Sequence, residues 1–299
     1  MTEISRLAVP IGLLLFAAQP GPSRENVEAA RPVVLGLDHV IVAVRDLDGA
    51  AETYRRLGFA LKPGRLHANS ILNQHVKFED GSEIELLTAS QPRDDLARGY
   101  VQHIAAGDGP AYVAFYAPDL DRLERTLRAA DLPYKRTGGL LSPKSPGTGH
   151  IFFGQRNRVP SDRPEHFAHA NGAETLLGVW IAGDDIAAET SLLEALGARA
   201  SKQPSRRLGA EARVWSFPQA EVAFVPKSHQ IVPGRRVVGA RVRARDLKRV
   251  TDQLSKAGLA VPPVTETAAG RSVLLPPSLT HGLWLEFFEP RDGQPPSKW

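Results

Sequence analysis

The 299-residue chain contains no cysteine, which removes disulfides, thiolate metal sites and cysteine nucleophiles together. Any metal must then be held by histidine, carboxylate, amide or water. No Gly-rich phosphate loop follows a strand and no Gly-x-Ser-x-Gly elbow occurs, so the sequence offers neither a nucleotide cradle nor a serine-hydrolase turn. Long basic runs interleaved with aromatics are also missing. The pI of about 9.4 rests on 37 Lys+Arg against 33 Asp+Glu, too small an excess for a nucleic-acid footprint. The apolar run from Leu7 to Ala18, LAVPIGLLLFAA, is too short to span a bilayer. It suits the apolar core of a secretory signal, with Ala17 and Ala18 near a cleavage region, although Glu3 offsets Arg6 and Pro10 interrupts it. Residues 1–34 are therefore an N-terminal extension, either a signal for export to the periplasm or a docked or disordered segment of a cytoplasmic protein.

What is present is an ordinary globular composition, 42% hydrophobic and 23% charged, in a chain long enough for two domains or for several small repeated units. A repeat decides between them. Four times a strand-like stretch runs into an Asp, a helical pattern follows, and a Gly or Asp closes it twelve positions on: Asp46 to Gly58, Asp119 to Asp131, Asp185 to Gly197 and Asp246 to Gly258. The preceding stretches LDHVIVAVR, AYVAFYAP, LLGVWIAG and VVGARVRAR are rich in strand formers. Each Asp can cap the free amides of the helix, and each closing residue tolerates left-handed φ. Further strand-like stretches, such as QHVKFEDG and SEIELLTA, follow the helices. The unit is thus βα followed by about three strands, and the steps of 73, 66 and 61 residues between the Asp positions suit small modules paired into sheets. The fold class expected is α+β, with four βαβββ modules paired into curved, half-barrel mixed sheets and helices outside. Modules one and two fall in residues 35–158, a polar linker or arm in 159–175, modules three and four in 176–290, and a tail in 291–299. Residues 138–149, GGLLSPKSPGTG, read as a mobile loop.

Two segments carry a family resemblance: Leu37-Asp38-His39-Val40 on the first strand and Glu83-Ile84-Glu85-Leu86-Leu87 on the last strand of module one. Together with Asn73, FEDGSEIELL, GDGPAYVAFYAPDLDRL and HANGA, they resemble the glyoxalase-like domain of the vicinal-oxygen-chelate superfamily over roughly residues 35 to 225. The resemblance implies a divalent metal, with His39 and Glu85 as ligands and Glu85 as the catalytic carboxylate. Zn, Mn, Fe, Co and Ni are not distinguished by such donors. It also implies a small oxygenated substrate and lyase, isomerase or dioxygenase chemistry, with a metal-free ligand-sequestering protein as the alternative. Paired modules of this kind also assemble into homo-oligomers. The sequence departs from the family where the repeat register puts Tyr112, Gly178 and Gly239 at the position of His39, while Glu85 recurs only as Glu286, one residue out of step.

Each candidate has a plainer reading. His39 is a ligand or a structural histidine. Glu85 is a buried ligand or a strand residue facing water. Asn73 donates to a substrate oxygen or secures a bulge, and Tyr112 bonds a ligand or packs. His169 completes a two-His, one-carboxylate set if the arm folds over module one, or else serves its own loop. His166 and His169 stand three apart, but Pro164 and Asn171 argue against the long helix that a metalloprotease-like pair requires. Arg241, Arg243 and Arg245 alternate on one strand face, lining an anion pocket or a solvated surface.

Overall fold

The computed structural model describes residues 32–202 and 205–291. The apolar run at 7–18 and the tail beyond 291 lie outside the described residues. In module one, β1 (Gly36–Ala43) feeds α1 (Leu47–Arg56), and β2 (Lys62–Leu66), β3 (Ile71–Lys77) and β4 (Glu83–Ala89) return until β4 lies parallel to β1. An additional helix, α2 (Asp95–Ala105), connects it to module two: β5 (Gly109–Tyr116), α3 (Leu120–Ala129), β6 (Tyr134–Thr137), β7 (Leu140–Pro143) and β8 (Ile151–Gly154). Module three comprises β9 (Ala173–Ala182), α4 (Ala187–Ala195), β10 (Arg199–Ala200), β11 (Ser205–Arg207), β12 (Ala210–Phe217) and β13 (Ala220–Val225). Module four follows with β14 (Val237–Ala244), α5 (Leu247–Lys256), β15 (Val264–Thr267), β16 (Gly270–Leu275) and β17 (Trp284–Pro290).

Two sheets result, in the orders β2-β3-β4-β1-β5-β8-β7-β6 and β10-β12-β13-β9-β14-β17-β16-β15, with β11 on the flank of β12. In both, the first strands of two modules lie antiparallel at the centre. The segment expected as a mobile loop is partly strand: Leu140–Pro143 pairs with Tyr134–Thr137 around the Gly138-Gly139 turn.

The helix signals work as their chemistry requires. Asp46, Asp119 and Asp246 accept from the amides of Gly49, Arg122 and Lys248 at 2.8–3.0 Å. Asp185 is the exception. The cap position there is Ile186, and Asp185 accepts from Ala187 at 3.2 Å. The four closing residues, Gly58, Asp131, Gly197 and Gly258, all take positive φ, between 53° and 95°.

Alternation along β1 sends Val40 and Val42 into a core shared by both sheets, where burial of apolar surface drives association. Phe115 meets Phe217 and Phe59 stacks on Phe287 across that core, each pair with centroids 5.6 Å apart. The opposite face of β1 carries His39, Ile41 and Ala43. There α2 packs Ala97, Tyr100 and Ile104 against Ile41, Leu87 and Ile71.

Candidate functional site

The register of β1 and β4 places Ile41 beside Glu85 and His39 beside Glu83. Side chains on neighbouring strands can then converge, because the strands are about 4.8 Å apart. His39 Nε2 lies 3.6 Å from Glu85 Oε2. An irregularity in the β1–β5 register between Leu37 and His39 brings Asp38 to the same side, with Oδ2 3.3 Å from His39 Nδ1. Burial works against a charge on the imidazole, but Asp38, Glu85 and Glu83 outweigh it and raise the His39 pKa to about 9. The ring is therefore an imidazolium at neutral pH, held between two carboxylates.

Around this pair lies a cavity of about 350 Å³. Its walls are chiefly apolar, with Ile41, Ile71, Leu87 and Phe152 inside and Leu96 and Leu140 at a half-exposed mouth. Such a cavity, apolar in body with a few convergent polar groups, is the usual form of a small-molecule site. Phe152 meets the His39 ring edge-on at 5.3 Å. Tyr112 is on the wall, as the repeat register suggested, with its ring at 5.3 Å from Tyr100 and 6.2 Å from His103. Burial raises the Tyr112 pKa, and the Tyr100 pKa goes well up through burial and the charge of Glu85. Both phenols stay protonated and can donate.

Asn73 does not line this cavity. Its Nδ2 donates to Glu85 Oε1 at 2.6 Å and its Oδ1 accepts from the Arg65 amide at 3.1 Å. It therefore orients Glu85. The placement of His169 is a correction. The arm does fold over module one, but the His169 ring is consumed by backbone: Nδ1 accepts from Ala60 N at 3.0 Å and Nε2 donates to Lys77 O at 2.9 Å. Burial lowers its pKa to about 4. A neutral ring with both nitrogens occupied has no lone pair for an ion. His67, Tyr100 and Asp38 belong to the site although the sequence did not single them out as its members. The first two reach it only through a strand end and a connecting helix, and Asp38 through a local irregularity.

The same positions in the other modules show why one cavity carries this chemistry. In module two, Tyr112 and Phe152 replace the His and Glu. In module three, Gly178 and Ala223 do. In module four, Arg241 stands beside Glu286 as Ile41 stands beside Glu85, so the sheet register removes the one-residue offset in the sequence. Arg241 is neither on a solvated face nor open to an anion. Its guanidinium binds Glu286 through Nε at 2.6 Å and Nη2 at 3.1 Å, and Glu221 at 3.0 Å. Arg243 and Arg245 pair with Glu174.

The donors for a metal are half a set. His39 and Glu85 face one another, and Asp38 backs the far ring nitrogen as carboxylates do behind metal-bound histidines. A third protein ligand, usual for a catalytic ion, is not offered. Tyr112 and Phe152 fill the equivalent places, and among the described residues no three of His, Asp and Glu are arranged to hold one ion.

Residues 37–146 match the family described as a glyoxalase-like domain. No curated protein sequence matches the chain. Among solved structures, a fusion of a xylose isomerase-like TIM barrel with 4-hydroxyphenylpyruvate dioxygenase is 13% identical, with a TM-score of 0.64 over 89% of this chain, which spans half the length of that protein. A variant 4-hydroxymandelate synthase from Streptomyces coelicolor is 11% identical, with a TM-score of 0.63 over 87% of this chain and 93% of its own. A catechol 2,3-dioxygenase is 14% identical, with a TM-score of 0.60 over 88% and 91%. At these identities the likeness is one of fold.

Proposed function

Taking as premise that residues 37–146 form a glyoxalase-like domain within a vicinal-oxygen-chelate fold, we propose that the chain binds a small, largely apolar oxygenated molecule in the module-one cavity and works on its oxygen with His39 and Glu85. The observation that carries this reading is the His39 imidazolium set 3.6 Å from a carboxylate at the polar end of an apolar cavity. A cation held there can stabilise negative charge developing on a ligand oxygen, as in an enolate. Glu85, steadied by Asn73, can take a proton from the neighbouring carbon or hydroxyl. Isomerase or lyase chemistry needs no more than these two groups.

A second reading keeps the divalent ion. It is favoured by Asp38 on Nδ1, which leaves Nε2 and a Glu85 oxygen as the two protein positions an ion would use, the others falling to substrate and water. Catechol, the compound in one neighbour's name, and its dimethyl ether are probes that separate binding from ion capture. Calorimetry is expected to show catechol bound without added metal, and weakened about tenfold or more by His39→Gln or Glu85→Gln, the scale of a lost hydrogen bond to a charged group. Metal-free protein that ignores catechol but binds it after Fe(II) or Mn(II) addition overturns the first reading in favour of the second.

A further inference from the structure

Beside the first cavity, on the same face, lies a second of about 440 Å³ that shares His67 with it. Asn73 lines this second chamber and bonds through to Glu85 in the first, so it stands in the partition. The two spaces differ in chemistry. The second carries Lys62, Arg65 and Lys77 on its walls against one lining carboxylate, Glu83. Asn157 and, on the arm, Val159 and Ser161 close it, and the arm brings up Asp162, which contacts both Lys62 and Lys77.

Three fixed cations, Lys62, Arg65 and Lys77, thus meet two carboxylates, Glu83 and Asp162, and one positive charge is left over. Its bearer is Arg65, which is exposed and has no carboxylate partner among the described residues. The paired lysines are felt by Asp162. Burial pushes Asp162 up, yet Lys62, the Val159 amide and Lys77 bring its pKa to about 2. Lys62 spends two of its three N–H groups on Ser161 and Asp162 and keeps one. Glu83 Oε1 meets His75 Nδ1 at 3.2 Å, while its buried Oε2 has the Lys77 ammonium 3.8 Å away as an ion-pair partner and no hydrogen bond among the described residues. An acceptor left open in this way calls for a donor from water or a ligand. The Arg65 backbone is fixed beneath its side chain by the bond from its amide to Asn73 Oδ1.

We propose that the second chamber binds a small hydroxylated anion, with its acidic oxygens on Arg65 and the remaining Lys62 N–H and a hydroxyl donating to Glu83 Oε2. Because the chambers adjoin at His67, such an anion is the polar end of a molecule whose apolar body occupies the first cavity. That joining rests on the proposed function, whereas the anion subsite stands on the second chamber alone.

The test is calorimetric titration of the full chain with sodium glycerate, sodium propionate and neutral glyceramide. Glycerate is expected to bind, with propionate and glyceramide each weaker by about fivefold or more, the scale of one or two net hydrogen bonds. Arg65→Ala is expected to weaken glycerate by about tenfold and Arg65→Lys by less, since lysine keeps the charge and loses the planar fork. Arg65 is exposed, so neither change threatens folding, and circular dichroism of the variants checks this. Absence of glycerate binding, equal binding of propionate, or indifference to Arg65→Ala overturns the proposal. Catechol binding measured on the same preparations reports the first cavity. If it fails while glycerate binding holds, the proposed function falls and the anion subsite stands.

Discussion

The two sheets share one plan and treat their inner faces in opposite ways. In the first, α2 covers part of the face and leaves a cavity floored by Ile41, Leu87 and the His39–Glu85 pair. In the second, Trp180 and Trp284 crowd the position of His39 so closely that a Cβ on Gly239 would come within 2.4 Å of the Trp180 ring. Arg241 fills the charge position between Glu221 and Glu286. One half leaves its carboxylate on the wall of a cavity and the other supplies its carboxylates with a cation from within. Burial opposes the charge on Arg241, but Glu221 and Glu286 override it and raise its pKa. Equivalent positions of two sheets with one topology can therefore carry an open carboxylate beside a cavity in one and a closed ion network in the other.

The contrast breaks most sharply at Arg241. Arg241→Ala leaves the buried Glu286 without that partner, while Glu221 keeps Arg207, and is expected to cost about 3–5 kcal/mol, the penalty for half of a buried pair. Denaturant unfolding measures it, and catechol binding in the first half should not change. A loss below 1 kcal/mol would mean that the network is solvated. Next in size is His169→Ala, which strips partners from the Ala60 amide and the Lys77 carbonyl. It is expected to cost about 2 kcal/mol with metal content and catechol affinity unaltered. An altered metal content would restore His169 to the site.

The acid–base prediction concerns the open half. The fold raises the His39 pKa from 6.5 to about 9, so the folded chain holds a proton that the unfolded chain releases across that interval. The stabilisation from this group is full below about pH 6.5 and is lost as pH rises toward 9. The stability difference between the wild type and His39→Gln should shrink over that window, and ring NMR should show one histidine titrating near its upper end. Glu85→Gln should move that titration downward. The smallest effect belongs to Tyr112→Phe, expected to change catechol affinity by less than about threefold, because a single neutral hydrogen bond is worth about 1 kcal/mol or less.

The four-module plan was legible because capping and chain reversal are local chemistry: an Asp at one end and a residue tolerant of positive φ at the other mark each helix without reference to the rest of the chain. α2 went unread although its signals are present. Asp94 caps it by accepting from Ala97 at 2.7 Å, and Ala97, Tyr100 and Ile104 share a face. It falls outside the repeat that marks the other four helices. The His39–Glu85 meeting follows from strand register. The fate of His169 does not, since nothing in HANGA says whether the ring will find an ion or two backbone groups. His67 and Arg65 lie in KPGRL-HANS, whose importance depends on an irregular edge strand and on an arm arriving from about ninety residues later.

That arm has a consequence for anyone who would rebuild the molecule. Residues joining two sheets are ordinarily free to be trimmed, provided that the remaining length still reaches. Here Asp162 is the counter-charge for Lys62 and Lys77, and Asn171 holds the Leu57 carbonyl. A shortened connection would still span the gap yet strand two ammonium groups, one of them fully enclosed, in a space built around their neutrality. Its length is thus dictated by electrostatics, and deletions there should be felt first as misfolding of the amino-terminal module.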